Sequence, residues 1–504
     1  MNLTGSNIIR DNSNFWYIQP TYVWDPSHNI NNIGLIGNNL DPNQYYSMIS
    51  YLVRVNYTMF KKYILTLTYR RDGSSKFSES NRWGDFPSVA VGWNTSEEKF
   101  MSKIKFLSKL KLRGSWGIVG NDKIPYESRY SLVNSNMVTV LGTGSYVDPA
   151  ATYGVIGNNK LKWETTSQTD VGLETGFFKD RLTGEFDYYD KETYGILVGL
   201  TIPAYFGNGL NTKEIFNAAK VQNRGFEFSL GWRDQVGKLK YNIGINGTTI
   251  SNKIISIGGV SGSDTVLYGG YLGNGQYVTA SRVGLPIGAF YGYKTDGIFQ
   301  TQAELNAYPH ITGESGATVG SLRYVDMNGD GKIDGRDRTY IGSPIPKFIF
   351  GFSVSFEYKG IDLAIDIQGQ TGNKIFNAKE IIRPDQYNYE SHVLGAWTGP
   401  GTSYTEPIAS AGGYNYLPSD HYVQDGSFLR FRDIILGYTL PSGITQKIYI
   451  QKLRIYLKAD NLFTWTKYTG YTPEIGSSDA LSSGVDFGAY PTTSVYSIGL
   501  NLNF

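Results

Sequence analysis

The last nine residues, Tyr496–Phe504, read YSIGLNLNF, and apolar residues alternate with small or polar ones up to the aromatic at the end. Period-two alternation makes a strand with one apolar and one polar face. The pattern returns along the whole sequence with turn residues between the copies. It covers Tyr51–Tyr57, Tyr63–Tyr69, Gly172–Phe177, Leu182–Tyr188, Gly225–Trp232, Leu239–Asn246, Phe350–Tyr358 and Ile361–Gln368. Further strands are expected over Phe86–Asn94, Leu110–Val119, Phe428–Leu440 and Leu453–Asn461, roughly a dozen to fourteen in all.

These strands pair across short links at Lys61–Lys62, Phe178–Arg181, Asp234–Lys238 and Lys359–Gly360. Between the pairs lie long stretches rich in Gly, Asn, Ser, Thr and Tyr, at about 120–160, 197–222, 252–346, 372–425 and 464–491. Counted along the chain, all five fall on one side. A soluble β-sandwich spreads its loop lengths more evenly. The expected fold is therefore all-β: an antiparallel transmembrane β-barrel with short periplasmic turns and long extracellular loops.

The faces of single strands agree. Ile361, Leu363, Ile365 and Ile367 share one face, while Asp362, Ala364, Asp366 and Gln368 share the other. A bare carboxylate on the lipid side is costly, so Asp362 and Asp366 are expected in a wet lumen. The same lumen explains the pair Asp187 and Asp190 better than a general acid and base do. Trp83, Trp93, Trp116, Trp163, Trp232 and Trp465 fall at or near expected strand ends, as interfacial girdles do. The competing reading makes them core aromatics of a sandwich.

Composition narrows the function. The chain has 504 residues, 60 of them Gly, 39 Tyr and none Cys, which removes disulfides, thiolate metal sites and cysteine nucleophiles. A net charge of +2 gives no support to nucleic-acid binding. Mean hydropathy is −0.29, and no apolar run approaches the roughly 20 residues of a membrane helix. The opening MNLTGSN has neither a basic n-region nor an apolar h-region, so no signal peptide is expected there. The motifs G-x-S-x-G, H-E-x-x-H and G-x-x-x-x-G-K-[ST] are missing, and no enzyme is expected. His28, His310, His392 and His421 are scattered over loops. His421 follows Asp420 and could be read as part of a triad, but a solvated loop histidine is the expected state. Tyr268 and Tyr271, or Tyr414 and Tyr416, could stack on sugar rings.

The sharpest local motif runs from Asp326 to Asp337 and reads D-x-N-x-D-G-x-I-D-x-x-D. Asp326, Asn328, Asp330, Asp334 and Asp337 place side-chain oxygens at positions 1, 3, 5, 9 and 12 of a calcium loop, with Gly331 at the bend and the Lys332 carbonyl at position 7. Calcium takes such a wrap of hard oxygens. Asp337 stands where the EF-hand loop has a bidentate Glu, and the flanks are not helical. The expected role is to stiffen a long outer loop with little core of its own; the alternative is an Asp/Gly turn that binds nothing.

Several segments together resemble the SusC/RagA-type TonB-linked outer-membrane transporters of Bacteroidetes. They are Asp72–Phe77 (DGSSKF), Asn81–Ser88 (NRWGDFPS), Leu161–Glu164 (LKWE), Asn223–Phe228 (NRGFEF) and Gly288–Phe299 (GAFYGYKTDGIF). The run Asp326–Ile341 with Pro346–Phe348, then Asp425–Arg430 (DGSFLR) and Asn461–Trp465 (NLFTW), continue the likeness in order. The resemblance implies a multi-pass barrel of the bacterial outer membrane that imports a glycan or peptide. It implies an N-terminal plug, a TonB box pulled by the inner-membrane TonB complex, and a SusD-like lipoprotein lid. Phe504 fits the terminal-strand signal read by barrel assembly machinery. Neither plug nor TonB box is seen, so the chain reads as the C-terminal barrel portion of a large plugged barrel. Residues 1–50 are expected as an outer-loop segment, 51–504 as barrel and 252–346 as a long loop insertion. Two other readings stay open: a passive porin-like barrel, and a secreted calcium-stabilised adhesin or glycan-binding module.

Overall fold

The computed structural model describes residues 46–504 apart from 125–127, 129–130, 141–146, 202–212, 259–265, 274, 312–315, 383–388, 411 and 478. Most of the segment expected over 1–50 lies outside the described residues. Fourteen strands build one antiparallel sheet: β1 Met48–Met59, β2 Tyr63–Ser74, β3 Trp83–Asn94, β4 Leu107–Asn121, β5 Glu164–Phe177, β6 Leu182–Thr201, β7 Lys213–Val236, β8 Leu239–Thr249, β9 Ser251–Ile257, β10 Phe348–Tyr358, β11 Ile361–Thr371, β12 Phe428–Thr439, β13 Lys452–Thr466 and β14 Val495–Asn503. Each hydrogen-bonds to the next in the chain, except that β9 returns to the upper part of β7 and β8 pairs with β10. No helix among the described residues is long and apolar enough to cross a membrane.

Register follows the alternation. One row across the sheet runs Trp232, Ile243, Val354, Ile365, Ile434 and Ala459. The neighbouring row on the other face runs Ser353, Asp366, Asp433 and Asp460. Slipping one strand by a residue would exchange these faces. On the apolar side Val55, Val91, Val171, Phe226 and Leu457 are each more than half exposed, as a lipid-facing wall requires.

The polar face is tied by cross-strand ion pairs. Arg113 meets Asp187 at 2.6 Å and Glu185 at 2.5 Å; Lys109 and Lys111 hold Glu174 at 2.6 and 2.9 Å. Arg454 meets Asp362 at 2.5 Å, and Lys458 bridges Asp433 and Asp460 at 3.0 and 2.6 Å. Two glycines make room for these reaches: a Cβ on Gly172 would lie 1.9 Å from Asp187 Oδ1, and one on Gly437 would lie 2.6 Å from Arg454 Nη2. A watery inner face places Asp362 and Asp366 as expected.

The segments at about 120–160, 252–346, 372–425 and 464–491 do leave the sheet at one end. At the opposite end β1–β2 and β10–β11 close in tight turns: Phe60 and Lys61 sit at φ 54° and 61° in a three-residue link, and Lys359 and Gly360 at 47° and 88°, the left-handed pair of a two-residue hairpin. Three expectations need correction. Residues 197–222 are not one long loop, because β6 and β7 continue their ladder to Thr201 and Lys213 past a bulge between Thr193 and Ile196. Trp163 is no girdle residue; it is buried with its ring 5.2 Å from Phe77 and 5.4 Å from Phe86, and its indole N–H donates to Arg82 O. The outer loops also have a core of their own.

That core ties three loops together. A strand at Lys374–Asn377 pairs antiparallel with Val423–Asp425 and parallel with Val485–Asp486. Leu267–Tyr271, Tyr277–Ser281, Phe290–Gly292 and Thr339–Gly342 form a four-stranded sheet. Val278, Phe290, Phe376, Ile381, Tyr422 and Val485 pack into one cluster, and Tyr293, Ile298, Leu322, Tyr324, Ile333 and Tyr414 into a second.

Candidate functional site

The loop Asp326–Asp337 is wound on its own carboxylates. Asp326 accepts from the backbone N–H of Gly329 (2.7 Å) and Gly331 (2.8 Å), Asn328 from Asp330, and Asp330 from Lys332. Asp337 is fully buried and accepts from Met327 and Asp334. Arg336 reaches Asp330 at 2.6 Å and Asp334 at 2.7 Å. The Gly331 and Gly329 amides hold the Asp326 carboxyl below its ordinary range, and Arg336 does the same for Asp334. The structure thus turns Asp326, Asn328 and Asp330 into the loop and sets Arg336 as the counter-charge. Ile333 anchors the loop in the second apolar cluster, so the loop is stiffened by a core that the sequence reading denied it.

A different place gathers more chemistry. The short helix Lys379–Ile382, the turn Ser391–Gly395, the stretch 406–409 and the turns Tyr414–Tyr416 and Asp420–Tyr422 enclose a cavity of about 640 Å³ at the loop end. Tyr471 and Phe487, from the last long loop, complete its lining. Its polar centre is His392. Nδ1 lies 3.0 Å from Glu406 Oε2, while Nε2 faces Glu380 Oε2 at 3.3 Å and Glu390 Oε2 at 3.9 Å. Glu380 and then Glu406 push the His392 ring up to about 10. Burial pushes Glu406 up, but the bond from His392 and the charges of His421 and His392 together leave the carboxyl low. Lys379 pairs with Glu390 at 3.1 Å and lies over the rings of Tyr468 and Tyr471.

The scattered histidines are therefore not equivalent. His421, expected in solvent, is half-buried and lines this cavity, and burial lowers its affinity for a proton. Its neighbour Asp420 accepts from the Thr295 amide and hydroxyl at 2.9 and 2.7 Å, so no triad forms. His310 contacts the Tyr308 carbonyl, and His28 lies outside the described residues. Among the aromatics, Tyr414 is core, Tyr416 lines the cavity, and Tyr268 and Tyr271 stand against Tyr277 at 5.9 and 5.0 Å. Sequence reasoning missed the cavity because Lys379–Glu380, Glu390–His392, Glu406 and His421 lie 10 and more residues apart as groups and meet only through loop packing.

An apolar outer wall, a charged inner face and a folded cap at one end define a transmembrane barrel of the outer-membrane type. The family model described as TonB dependent receptor-like, beta-barrel matches residues 3–346, and the chain belongs to that family, in its SusC/RagA-type branch. The TonB-dependent receptor P26 of Formosa agariphila is 33% identical over 477 residues, covering 91% of this chain and 46% of the relative. The TonB-dependent receptor SusC of Bacteroides thetaiotaomicron is 30% identical over 471 residues, 91% of this chain and 44% of that one. Among solved structures, the RagAB peptide transporter superposes with a TM-score of 0.74 at 25% identity, over 91% of this chain and 48% of that one. The chain spans about half the length of the curated relatives it matches. These relatives are receptors, in keeping with transport rather than catalysis.

Proposed function

We propose that this chain forms the barrel wall and outer mouth of a TonB-powered importer for an oligosaccharide or peptide, capped by a SusD-like lipoprotein. The observation that carries the reading is the likeness, over 91% of the chain, to SusC and to the RagAB peptide transporter. The charged inner face offers a wet path, and the cored cap offers a firm seat for a lid. In this reading substrate enters at the loop end, and a plug pulled through TonB opens the way. The test is uptake of labelled oligosaccharides and peptides by cells expressing the full-length gene, with and without a protonophore. Saturable uptake that falls to background when the proton-motive force collapses is expected. Uptake indifferent to the protonophore would instead indicate a passive porin-like barrel, and recovery of the protein without detergent a secreted module.

We also propose that Asp326, Asn328, Asp330, Asp334 and Asp337, with the Lys332 carbonyl, hold calcium. The donor set is hard oxygen throughout, and Arg336 already marks where positive charge is wanted between Asp330 and Asp334. Calcium would displace Arg336 and hold the loop in its place. Calcium is expected to slow proteolysis of this loop in the wild type and not in Asp330→Ala. Equal protection of both proteins would remove the loop as the site.

A further inference from the structure

We propose that Glu380, Glu390 and His392 form a site for a divalent transition-metal ion, of the zinc class, at the polar centre of the outer-loop cavity. One ligand atom from each of the three lies within 4.8 Å of the other two, and among the described residues this is the group of His, Asp and Glu side chains that converges so. The His392 Nε2 atom is buried and aligned for a hydrogen bond with no neighbour, although two carboxylate oxygens face it.

The strength of the case lies in how each ligand is held from behind. Glu380 gives one oxygen to the Asn377 amide and turns the other toward Nε2. Glu390 gives one oxygen to Lys379 at 3.1 Å and turns the other toward the same point. The far ring nitrogen of His392 meets Glu406 at 3.0 Å, the carboxylate–histidine arrangement that orients a metal-bound imidazole. Three tethered ligands, one nitrogen and two oxygens, with a cavity on the open side, match a zinc-class site that keeps a position for an outside ligand. An all-oxygen preference such as that of calcium or magnesium is a poorer match to the imidazole. Binding replaces any proton on Nε2 with the ion, and the ring proton on Nδ1 stays with Glu406. An ion here would cross-link the chain on both sides of residues 383–388 and give the cavity a Lewis-acidic point for a carboxylate or hydroxyl ligand.

The experiment uses the full chain in detergent, with Zn²⁺ and Co²⁺ as probes. One equivalent of Zn²⁺ should bind by calorimetry, and Co²⁺ should give d–d absorption bands that Zn²⁺ displaces. Both signals should vanish in His392→Ala, and Glu406→Gln should weaken binding about tenfold or more. Asp330→Ala should leave both signals intact, which separates this ion from the calcium loop. Absence of uptake by the wild type, with folding verified by heat-modifiable gel mobility, would overturn the proposal. So would undiminished cobalt bands in a folded His392→Ala or, as a second variant, Glu390→Gln.

Discussion

Ile365→Asp is expected to abolish assembly of the barrel into the outer membrane. Ile365 sits mid-strand in β11, between Val354 of β10 and Ile434 of β12, in the apolar row that crosses the sheet. A charge placed there meets hydrocarbon on the outside and isoleucine and valine at its sides. The penalty for a lysine or arginine at the midplane is about 2–4 kcal/mol and somewhat less for an aspartate, to which the lost apolar contact adds. The control lies one residue away. Asp366 points into the lumen opposite Ser353 and Asp433, and Asp366→Asn is expected to assemble normally. Outer-membrane fractionation and heat-modifiable gel mobility read both variants. Normal assembly of Ile365→Asp would mean that this row faces water.

Phe376→Ala is expected to loosen the cap while leaving the wall intact. Phe376 is fully buried, packs 5.9 Å from the ring of Phe290, and sits on the strand that joins Val423–Asp425 to Val485–Asp486. Truncating a buried Phe costs about 3–5 kcal/mol, which is large for a cap held by small clusters. Limited proteolysis should cut within 372–427 and 467–494 at a rate well above wild type, while gel mobility of the barrel stays unchanged. Equal resistance in both proteins would show that the loops draw their order from elsewhere.

The wall was legible because its signal is local. Alternation in Ile361–Gln368 specifies both the strand and its lipid side, and Lys359–Gly360 specifies the turn that precedes it. Strand ends were less so: β5 begins at Glu164, where LKWE gave no alternation to read, and Gly195 in β6 looks like a break although the ladder continues beyond it. The cap was illegible for a different reason. Phe290, Phe376 and Val485 come from three loops, and nothing in any one of them marks the other two as partners. The cavity shares that difficulty. Tertiary packing draws Glu380 and Glu406 to the local pair Glu390 and His392, without a fixed spacing that a motif could encode. The calcium-type spacing of Asp326–Asp337 was the reverse case, plain in sequence, and the structure adds Arg336 as a cation already in place.

The hairpin of β6 and β7 has a mechanical consequence. β7 alone is 24 residues long, a contour of about 80 Å at roughly 3.3 Å per residue. Even inclined by about 40°, it is about twice as long as the ~30 Å needed to cross the hydrocarbon layer. The surplus continues the wall's ladder past the hydrocarbon layer, braced by β9 along Ala219–Arg224 and by Leu197 and Ile215 packed on the Phe77–Trp163 cluster. The same hairpin that carries Glu185 and Asp187 to Arg113 in the lumen thus runs on without a break into the outer cap, so wall and cap share one backbone.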